Sequence, residues 1–464
     1  MPANPYSEND SYSELWPFGE KTEGNNPLET SWHKNSPSWY QGRRRKAALV
    51  LVAVWSGTFA LHWFSWGTLL VLGLTGVIAI HAVRVLGAKP RNTPEFLSEE
   101  TRNEWPYVSL LVAAKNEEAV IERLVETLCN LDYPEDRCEL WVIDDYSTDK
   151  TPEILDRLAE KYKQLRVFHR APNAGGGKSG ALNQVLPLTK GEFLAVFDAD
   201  ASVQPDVLRR VLPIFARLQV GAVQMRKAIA NSSVNFWTKG QEAEMALDSY
   251  FQQQRIAIGG IGELRGNGQF IRRSALQGCG GFNEETITDD LDLTVRLHLE
   301  GWDIEFVMVP VQEEGVTNAL ALWHQRNRWA EGGYQRYLDY WSLIVSNRMG
   351  FRKTWDMFIF WIIQYFLPMA TVPDSLIAIA FKRMPIYSPI TALMLGISFF
   401  AMSSGLRRIR ANENLPPSPP FFIFWQTLRG IFYMFHWIIV MASVTARMAV
   451  RPKRLKWVKT VHTG

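Results

Sequence analysis

A stretch of 37 residues without one Asp, Glu, Lys or Arg, residues 47–83, constrains the fold of this 464-residue chain most strongly. A helix of that length would measure about 55 Å, whereas the hydrocarbon core of a bilayer measures about 30 Å. The stretch therefore suits two spans better than one, with the aromatic segment His62–Gly67 turning at the headgroup layer. Basic residues flank both ends, at Arg43–Lys46 and Arg84. We expect a transmembrane hairpin over residues 43–92 with both ends in the cytosol, and one tilted span is the alternative.

The C-terminal region of the chain predicts further membrane segments between residues 355 and 449. Three apolar stretches occur there: Met357–Val372, Ile390–Leu406 and Gly430–Ala446. Pro368 and Pro373 interrupt the first of them, so we expect it to lie in the interface while the other two cross. If all three crossed, the basic tail 450–464 would end outside the cytosol, against the positive-inside preference. The sequence does not fix the number of crossings, but it predicts a multi-pass membrane protein.

Composition restricts the remaining functions. Lys and Arg number 50 against 47 Asp and Glu, so the chain is too evenly charged for a nucleic-acid-binding protein, and we expect no nucleic acid partner. The three cysteines have no metal-ligand spacing, which favours a reducing, cytosol-facing domain. Residues 1–42 are rich in Ser, Asn, Glu, Pro and Gly without an apolar period, which is typical of a disordered cytosolic tail. Composition does not indicate an oligomeric state.

Residues 105–345 form one polar block of the size of an α/β domain. Short apolar runs at Val108–Ala113, Glu139–Ile143 and Phe193–Phe197 predict buried strands, and amphipathic helix patterns separate them. Strands that alternate with helices imply right-handed crossovers and a mostly parallel sheet. We therefore predict an α/β fold flanked by transmembrane helices.

Polar clusters follow these strands, at the sheet edge where α/β proteins bind their ligands. No glycine-rich turn follows the first strand, which excludes a dinucleotide fingerprint. The segment Gly175–Ser179 is not a P-loop, because Pro172 occupies the position of the required earlier glycine. In an extended segment Asp198 and Asp200 point to one face, where both can bind one hard cation. Such a cation, Mg²⁺ or Mn²⁺, can neutralise the charge on a departing diphosphate, whereas a solvated turn is the alternative.

Several motifs occur along this block in one fixed order. They are Ala113–Glu117, Val142–Asp149, Gly177–Asn183, Asp198–Asp200, Thr288–Asp290 and Gln325–Trp329. Together they resemble the family 2 glycosyltransferases, in particular the membrane-embedded branch of cellulose, chitin and hyaluronan synthases. The resemblance covers roughly residues 105–345. It implies a nucleotide-diphospho-sugar transferase fold, a UDP-sugar donor and an inverting transfer.

The resemblance also implies roles for individual residues. Asp290 is the expected catalytic base, in a Thr288-Asp289-Asp290 motif where the family usually has Thr-Glu-Asp. Asp198 and Asp200 are the expected metal ligands. The expected donor-binding residues are Ala113, Asn116, Glu117, Asp144, Asp145, Lys178, Asp198 and Arg328. The expected acceptor-binding residues are Gly268, Gln269, Gln325 and Trp329. Residue types alone would also fit an acidic helix start at Asp289 and an interfacial helix around Trp329.

Two enzyme functions differ in the acceptor, and a function of a different class must also be considered. The segment Trp329–Tyr337 resembles the cyanobacterial β-monoglucosyldiacylglycerol synthases of the same family, which favours transfer of glucose from UDP-glucose to diacylglycerol. The few membrane segments agree, because they border a lipid cleft more easily than they line a polymer channel. A processive polysaccharide synthase is the alternative. A sensor or transporter with a degenerate domain is disfavoured, because the set of catalytic motifs is complete. The exact sugar, and single versus repeated transfer, stay open.

Overall fold

The computed structural model describes residues 42–450. The expected tails, residues 1–42 and 450–464, lie outside the described residues except for Gly42 and Val450. The first two helices, α1 (Arg43–Trp63) and α2 (Gly67–Leu86), are joined by a short turn. Phe64 and Trp66 in this turn stack at 5.2 Å between ring centroids. The two helices therefore form a hairpin, as the break in the apolar stretch predicts.

An eight-stranded sheet forms the centre of the polar block. Its strands are β1 (Val108–Ala114), β2 (Cys138–Asp144), β3 (Leu165–His169), β4 (Phe193–Phe197), β5 (Ser202–Val203), β6 (Val220–Ile229), β7 (Gln269–Arg272) and β8 (Asp303–Glu313). Their spatial order is β3-β2-β1-β4-β7-β6-β8-β5. The pairs β1/β2, β2/β3, β1/β4 and β6/β8 are parallel, whereas β7 pairs antiparallel with β4 and β6, and β5 with β8.

Helices cover both faces of the sheet. They are α3 (Ile121–Cys129), α4 (Thr151–Lys161), α5 (Gly177–Val185), α6 (Val207–Val211), α7 (Phe236–Ala257), α8 (Arg273–Gly278) and α9 (Asp289–Leu299). Alternate residues of β1 point to opposite faces: Leu110 packs with α3, α4 and α6, and Leu111 packs with α5, α8 and α9. Burial on both faces explains why the strands are continuous apolar runs in the sequence.

The order of the strands places the site. From β1 the chain proceeds outward through β2 to β3 and then returns to the other side of β1, where it forms β4. The carboxyl ends of β1 and β4 therefore flank the point at which the strand order reverses, the usual ligand crevice of such sheets. Lys115–Glu118 follow β1 at this point, and Asp198–Asp200 follow β4.

The C-terminal region of the described chain is helical. Its helices are α10 (Ala319–Val345), α11 (Phe351–Trp361), α12 (Leu367–Phe381), α13 (Ser388–Asn412), α14 (Pro420–Met434) and α15 (His436–Val450), and a π-helical turn, Ile362–Phe366, joins α11 to α12. Five segments are long and apolar enough to cross a membrane. These are α1, α2, the continuous segment Phe351–Phe381, α13 and the segment Pro420–Val450. Helix α13 packs on α2, α7 and α14, whereas α15 packs on α1, α10 and α12.

Polar contacts give the direction of the first four candidate spans. Arg43 of α1 binds Asp339 of α10, and the Gln254 amide of α7 donates to the Val85 carbonyl of α2 at 2.8 Å. The hairpin therefore begins and ends at the polar block, and its turn is remote from it. At the remote end, His62 Nε2 lies 2.7 Å from Asp374 Oδ1 of α12.

The next two segments follow the same axis. At the start of Phe351–Phe381, Arg255 Nε of α7 donates to Asp356 Oδ2 at 2.9 Å, whereas Asp374 belongs to the remote end. Helix α13 leaves from that end and returns to the block, where the Arg408 guanidinium donates to Gln254 Oε1 at 3.0 Å. Each of these two segments thus runs the full distance between the two ends.

The segment Pro420–Val450 behaves differently. Gln426 of α14 donates to Glu242 of α7 at 2.7 Å, and Trp437 at the start of α15 donates to Glu244 of α7 at 2.7 Å. Near the end of α15 the Ala449 carbonyl accepts from Arg44 at 3.2 Å. Both ends of α15 therefore contact residues on the side of the polar block.

Candidate active site

The acidic turn after β4 is held by residues of two neighbouring loops. The Asp198 backbone N–H donates to Asn267 Oδ1 at 3.2 Å, and the Glu314 backbone N–H donates to Asp200 Oδ2 at 3.0 Å. Lys178, the second residue of α5, donates from Nζ to Asp198 Oδ1 at 2.5 Å. Loops from three distant regions of the chain thus fix two carboxylates and one ammonium at the reversal point of the sheet.

The glycine segment before α5 serves to bring Lys178 to this position. Gly176 and Gly177 have positive φ angles of 79° and 54°, which only glycine adopts easily. Burial lowers the pKa of Lys178, but Asp198, Asp289 and Asp290 outweigh that effect, and the pKa lies above its usual range. Lys178 is therefore a permanent cation at a site that holds several carboxylates.

Asp290 lies in the first turn of α9 and is enclosed by the protein. Burial, and then the neighbouring Asp289, raise its pKa, whereas the Leu291 backbone N–H, Lys227 and Lys178 lower it, and the net result is a pKa of about 6. The backbone at Gly266 passes next to it, since a Cβ there would stand 3.4 Å from Asp290 Oδ2. A carboxylate with this pKa can accept a proton near neutral pH.

Helix α10 closes the site from the membrane side. Gln325, Arg328 and Trp329 are three and four residues apart on one helix face, and all three line the cavity that contains Asp290. Burial lowers the pKa of Arg328, while Asp198 and Asp290 counteract that shift, so this guanidinium faces the same carboxylates as Lys178. The Trp329 ring lies 4.0 Å from the Arg326 guanidinium and 5.3 Å from Lys227 Nζ, measured to the ring centroid.

A charged network lies behind the catalytic turn. Glu263 is fully buried and receives hydrogen bonds from Arg336 at 2.6 Å, Arg265 at 2.9 Å and Arg255 at 3.2 Å. Arg255 also binds Asp356 at the start of α11. The network therefore joins α7, α10 and the first candidate span after α10 to the loop that carries Gly266.

One cavity of about 560 Å³ extends from the residues that are expected to be catalytic into the helices that form the candidate spans. Its catalytic end is lined by Asp198, Asp200 and Asp290. Its other end is lined by apolar side chains of four helices: Ile78 of α2, Pro368 of α12, Met394 and Ile397 of α13, and Met441 of α15. The cavity is thus charged at one end and lined mainly by apolar side chains where the candidate spans enclose it.

Most residues expected at the site lie around this cavity. Its lining includes Ala113, Glu117, Lys178, Asp198, Asp200, Asp290, Gln325, Arg328 and Trp329. Five expected residues are not among those that line it: Asn116, Asp144, Asp145, Gly268 and Gln269. Their roles stay predictions.

Asp144 and Asp145 follow β2 and are bound by protein groups. Asp144 Oδ2 lies 3.0 Å from His169 Nδ1, and Arg170 and Lys115 both bind Asp145. Hydrogen bonding from Asp144 and Asp156 raises the pKa of His169, although burial opposes the rise. These residues lie at the same sheet edge as Glu117, because β1 and β2 are parallel and end side by side.

Asn116, Gly268 and Gln269 hold the chain around the site. Asn116 has a positive φ of 55°, and its side-chain oxygen accepts from the Thr148 backbone N–H at 2.7 Å. Gly268 faces the sheet interior, where a Cβ would stand 2.7 Å from Val311. Gln269 is fully buried in β7. Gly266, two residues before Gly268, is the glycine of this loop that approaches Asp290.

The donor set fits a divalent cation only if the substrate completes it. Among residues 42–450 no group of three or more His, Cys, Asp and Glu side chains could hold a metal ion. Asp198 and Asp200 nevertheless face one cavity, and Mg²⁺ is usually bound by one or two carboxylates together with substrate phosphates and water. Two carboxylates beside a lysine therefore suit a metal–diphosphate complex.

Two charged residues of the site were not found from the sequence. Lys227 of β6 and Glu313 of β8 bind each other at 2.9 Å and line the cavity. Burial lowers the pKa of Lys227, but Glu313, Asp198 and Asp290 raise it by more, so this residue also stays cationic. Its Gln-Met-Arg-Lys context at the end of a strand carries no signal that separates it from a surface lysine.

Comparison with known proteins agrees with this arrangement. The family model "Glycosyl transferase family 2" matches residues 109–280. The chain is 60% identical over 469 residues to the beta-monoglucosyldiacylglycerol synthase of Nostoc sp., covering 100% of this chain and 99% of that protein. It is 53% identical over 473 residues to the Synechocystis sp. protein of the same name, covering 100% and 97%.

A solved structure shows the same fold. The mannosyltransferase PcManGT from Pyrobaculum calidifontis, in complex with GDP-Man and Mn²⁺, superimposes with a TM-score of 0.52 at 19% identity, over 87% of this chain and 99% of that one. The predicted α/β fold with a mostly parallel sheet is therefore confirmed. Because relatives of more than half identity match it from end to end, the chain belongs to glycosyltransferase family 2.

Proposed function

We propose that this chain is an inverting glucosyltransferase that moves glucose from UDP-glucose to 1,2-diacylglycerol and forms β-monoglucosyldiacylglycerol. The observation that carries the proposal is one continuous cavity, which holds Asp290 at one end and apolar side chains of the candidate spans at the other. The names of the full-length relatives support the same reaction.

The transfer is one displacement at the anomeric carbon of the sugar. Asp290 accepts the proton of the acceptor hydroxyl, whose oxygen forms a bond to the anomeric carbon as the bond from that carbon to the diphosphate breaks. Attack from the face opposite the diphosphate inverts the configuration and gives a β-linkage. The pKa of about 6 leaves Asp290 mostly ionised at neutral pH and therefore able to accept that proton.

The cations of the site stabilise the leaving UDP. Lys178 and Arg328 both lie near Asp198 and can turn to the diphosphate oxygens, where charge accumulates as the bond breaks. Asp198 and Asp200 would hold Mg²⁺ or Mn²⁺, which supplies further neutralising charge when bound. We assign the uracil and ribose to the edge near Glu117, next to Asp144 and Asp145.

The acceptor is assigned to the apolar region of the cavity. Helices α2 and α13 form one wall of it, and α12 and α15 form the other. Acyl chains bury apolar surface against Met394, Ile397 and Met441, which would leave the glycerol hydroxyl at the catalytic end. A growing polysaccharide would instead need a polar, hydrated path, so this lining favours a lipid acceptor over a processive synthase.

We further propose four membrane crossings with the catalytic block in the cytosol. In this topology α1, α2, Phe351–Phe381 and α13 cross, and Pro420–Val450 lies along the cytosolic interface. The contacts of Asp374 with His62 support the crossing of Phe351–Phe381. The contacts of Trp437 and Ala449 support an interfacial α15. This assignment reverses the sequence-based expectation for the first and last C-terminal stretches.

The test uses the full chain in lipid nanodiscs with radiolabelled UDP-glucose and Mg²⁺. We expect one chloroform-soluble product that forms only when diacylglycerol is present and that a β-glucosidase cleaves. Asp290→Asn, prepared in parallel, should bind UDP-glucose but form no product. A ladder of water-soluble or insoluble polymer that forms without diacylglycerol would disprove the proposal.

A further inference from the structure

The π-helical turn Ile362–Phe366 brings a polar side chain into the apolar region of the cavity. Such turns insert one extra residue, which rotates the following helix, and they often occur at functional sites. Here Ile363, Gln364 and Tyr365 all line the cavity. Gln364 is the polar member that is not anchored by its neighbours, since no residue of the described chain hydrogen-bonds its amide.

A second polar side chain faces the same space from the other wall. Ser398 of α13 lines the cavity next to Ile397, and its hydroxyl likewise has no hydrogen-bond partner within residues 42–450. Polar groups that lack a partner are costly in an apolar environment, so polar side chains inside candidate spans usually mark a ligand path. Gln364 and Ser398 therefore indicate that a ligand with polar groups binds between the two apolar walls.

The position of the turn relative to Asp290 limits which portion of the acceptor it can reach. Tyr365, next to Gln364, packs its hydroxyl on Gly333 of α10, where a Cβ would stand 2.2 Å from it. The same Cβ at Gly333 would stand 3.4 Å from Leu291 Cδ1, and Leu291 is the residue after Asp290. Gln364 therefore precedes a residue, Tyr365, that packs on α10 at the same position as Leu291, the neighbour of Asp290.

We propose that Gln364 and Ser398 form the subsite for the ester groups of the acceptor, an inference that rests on the proposed function. Diacylglycerol carries its two ester groups on the carbons that follow the reacting hydroxyl carbon. The Gln364 amide N–H and the Ser398 hydroxyl donate to the ester carbonyl oxygens. The acyl chains continue along Met394 and Met441, and the reacting hydroxyl reaches Asp290.

Ether lipids test this subsite, because a dialkylglycerol keeps the hydroxyl and the chains but lacks the carbonyl oxygens. We would measure kcat/KM for 1,2-dioleoylglycerol and for 1,2-dioleylglycerol, the ether with matched chains, in nanodiscs. One net hydrogen bond corresponds to roughly a three- to tenfold preference, so with two donors the unaltered chain should prefer the ester by about ten- to a hundredfold. In Gln364→Met, which keeps Ser398, the ratio should fall by roughly three- to tenfold, while KM for UDP-glucose stays unchanged.

Two controls separate the possible causes. Ile397→Leu changes the same wall without a polar group and should leave the ester-to-ether ratio as it is. If Gln364→Met does not fold, Ser398→Ala carries the same test. An unchanged ratio in a folded, active Gln364→Met, or equal use of both lipids by the unaltered chain, would overturn the subsite alone. If neither lipid is glucosylated by the unaltered chain, the proposed function fails as well.

Discussion

Gly332 of α10 packs directly on Thr288, the residue that precedes α9: a Cβ at Gly332 would stand 2.2 Å from Thr288 Oγ1. The close approach joins the helix that carries Arg328 and Trp329 to the turn that carries Asp289 and Asp290. The Glu-Gly-Gly segment after Trp329 is therefore explained by packing. Its glycines set the distance between the catalytic base and the helix that closes the site.

Substitution of Gly332 should separate these two elements. Gly332→Ala forces Thr288 and the start of α9 to move, because neither the helix backbone nor the β-branched Thr288 can yield easily. We expect a destabilisation of about 1–3 kcal/mol and a loss of activity larger than the loss of stability explains. Thermal unfolding in detergent and single-turnover rates with UDP-glucose would measure the two effects.

Gly396→Ala is the matched control, since nothing lies within 4 Å of a Cβ at that position of α13. It should leave both the unfolding midpoint and the rate close to those of the unaltered chain. Full activity in Gly332→Ala would show that the contact with Thr288 does not position Asp290.

The base predicts the pH dependence of the reaction. With a pKa of about 6, Asp290 loses its ability to accept a proton as pH falls through that value, so kcat/KM should decrease below pH 6. Asp290→Asn should lower the rate by roughly 10²–10⁴-fold at pH 7.5, because general-base catalysis typically contributes that factor. Donor binding, measured by UDP-glucose titration, should remain.

Asp289 provides a further test of the same assignment. Because the charge of Asp289 raises the pKa of Asp290, Asp289→Asn should shift the acid limb of the pH–rate profile to lower pH. Lys227 acts in the opposite direction, so Lys227→Met should shift that limb to higher pH. Profiles that shift in the same direction in both variants would contradict Asp290 as the titrating group.

The raised pKa of Asp290 also affects stability, with a defined sign. The folded protein holds the proton more tightly than the unfolded chain, so the ionised carboxylate destabilises the fold above pH 6, and this cost disappears below the unfolded pKa of 3.8. Asp290→Asn should therefore raise the free energy of unfolding at pH 8 by up to about 3 kcal/mol. The gain should shrink as pH falls from 6 and vanish below the unfolded pKa of 3.8. A variant that is equally stabilised at pH 8 and below pH 3.8 would exclude this cause.

Glu263 should be required for folding. Removal of its charge leaves Arg255, Arg265 and Arg336 without their common partner in a buried position, which typically costs about 3–5 kcal/mol. These guanidinium groups outweigh burial and hold the pKa of Glu263 far below its usual range. The stabilisation is thus complete above pH 4.5 and is lost only as pH falls well below that value. Glu263→Gln should lower the unfolding midpoint strongly at pH 7, whereas the surface variant Glu153→Gln should not.

Sequence patterns predict the regions of this fold whose structure depends on residues close together in the chain. The strands near Val108, Glu139 and Phe193 can be predicted because each is buried on both faces and therefore has a continuous apolar sequence. The polar residues after these strands converge, since parallel strands end at one edge. Lys227 and Glu313 were missed because their pairing depends on the register of β6 and β8, which no local pattern fixes.

The membrane region was harder to predict for a related reason. Hydropathy measures whether a helix can cross, and both Phe351–Phe381 and Pro420–Val450 qualify. What distinguishes them are contacts between residues more than a hundred positions apart, such as Asp374 with His62 and Trp437 with Glu244. Apolar pattern and proline content alone could not supply these contacts.

The proposed topology predicts which side of the membrane two loops occupy. Arg383 and Leu415 are exposed, one in the loop before α13 and the other in the loop after it. Single cysteines at these positions, Arg383→Cys and Leu415→Cys, should react with a membrane-impermeant maleimide from opposite sides, Arg383→Cys from outside. The native cysteines are buried and should give a low background. If Phe351–Phe381 stays in the interface, the cysteine at position 383 will react from the cytosolic side.

The apolar end of the cavity predicts that a substitution there can slow glucosylation of diacylglycerol without slowing hydrolysis of UDP-glucose. Met394 of α13 points into the cavity, whereas its neighbour Leu395 does not line it and is 40% exposed. Met394→Trp places a larger ring where the acyl chains are assigned. We expect a rate of lipid glucosylation reduced by at least about tenfold, because loss of well-placed binding affects the reacting geometry as well as affinity. Slow hydrolysis of UDP-glucose, which needs no lipid, should continue at its normal rate.

Leu395→Trp is the matched control for this experiment. It adds the same ring one residue away, on the surface of α13 that faces away from the cavity, and should leave both rates unchanged. Product analysis by solvent partition gives the lipid reaction, and release of free glucose gives hydrolysis. If Met394→Trp and Leu395→Trp glucosylate diacylglycerol equally well, the acceptor does not use this cavity. If Met394→Trp also loses hydrolysis, the substitution has disturbed the donor site. Position 394 would then lie too close to Asp290 to contact only the acyl chains.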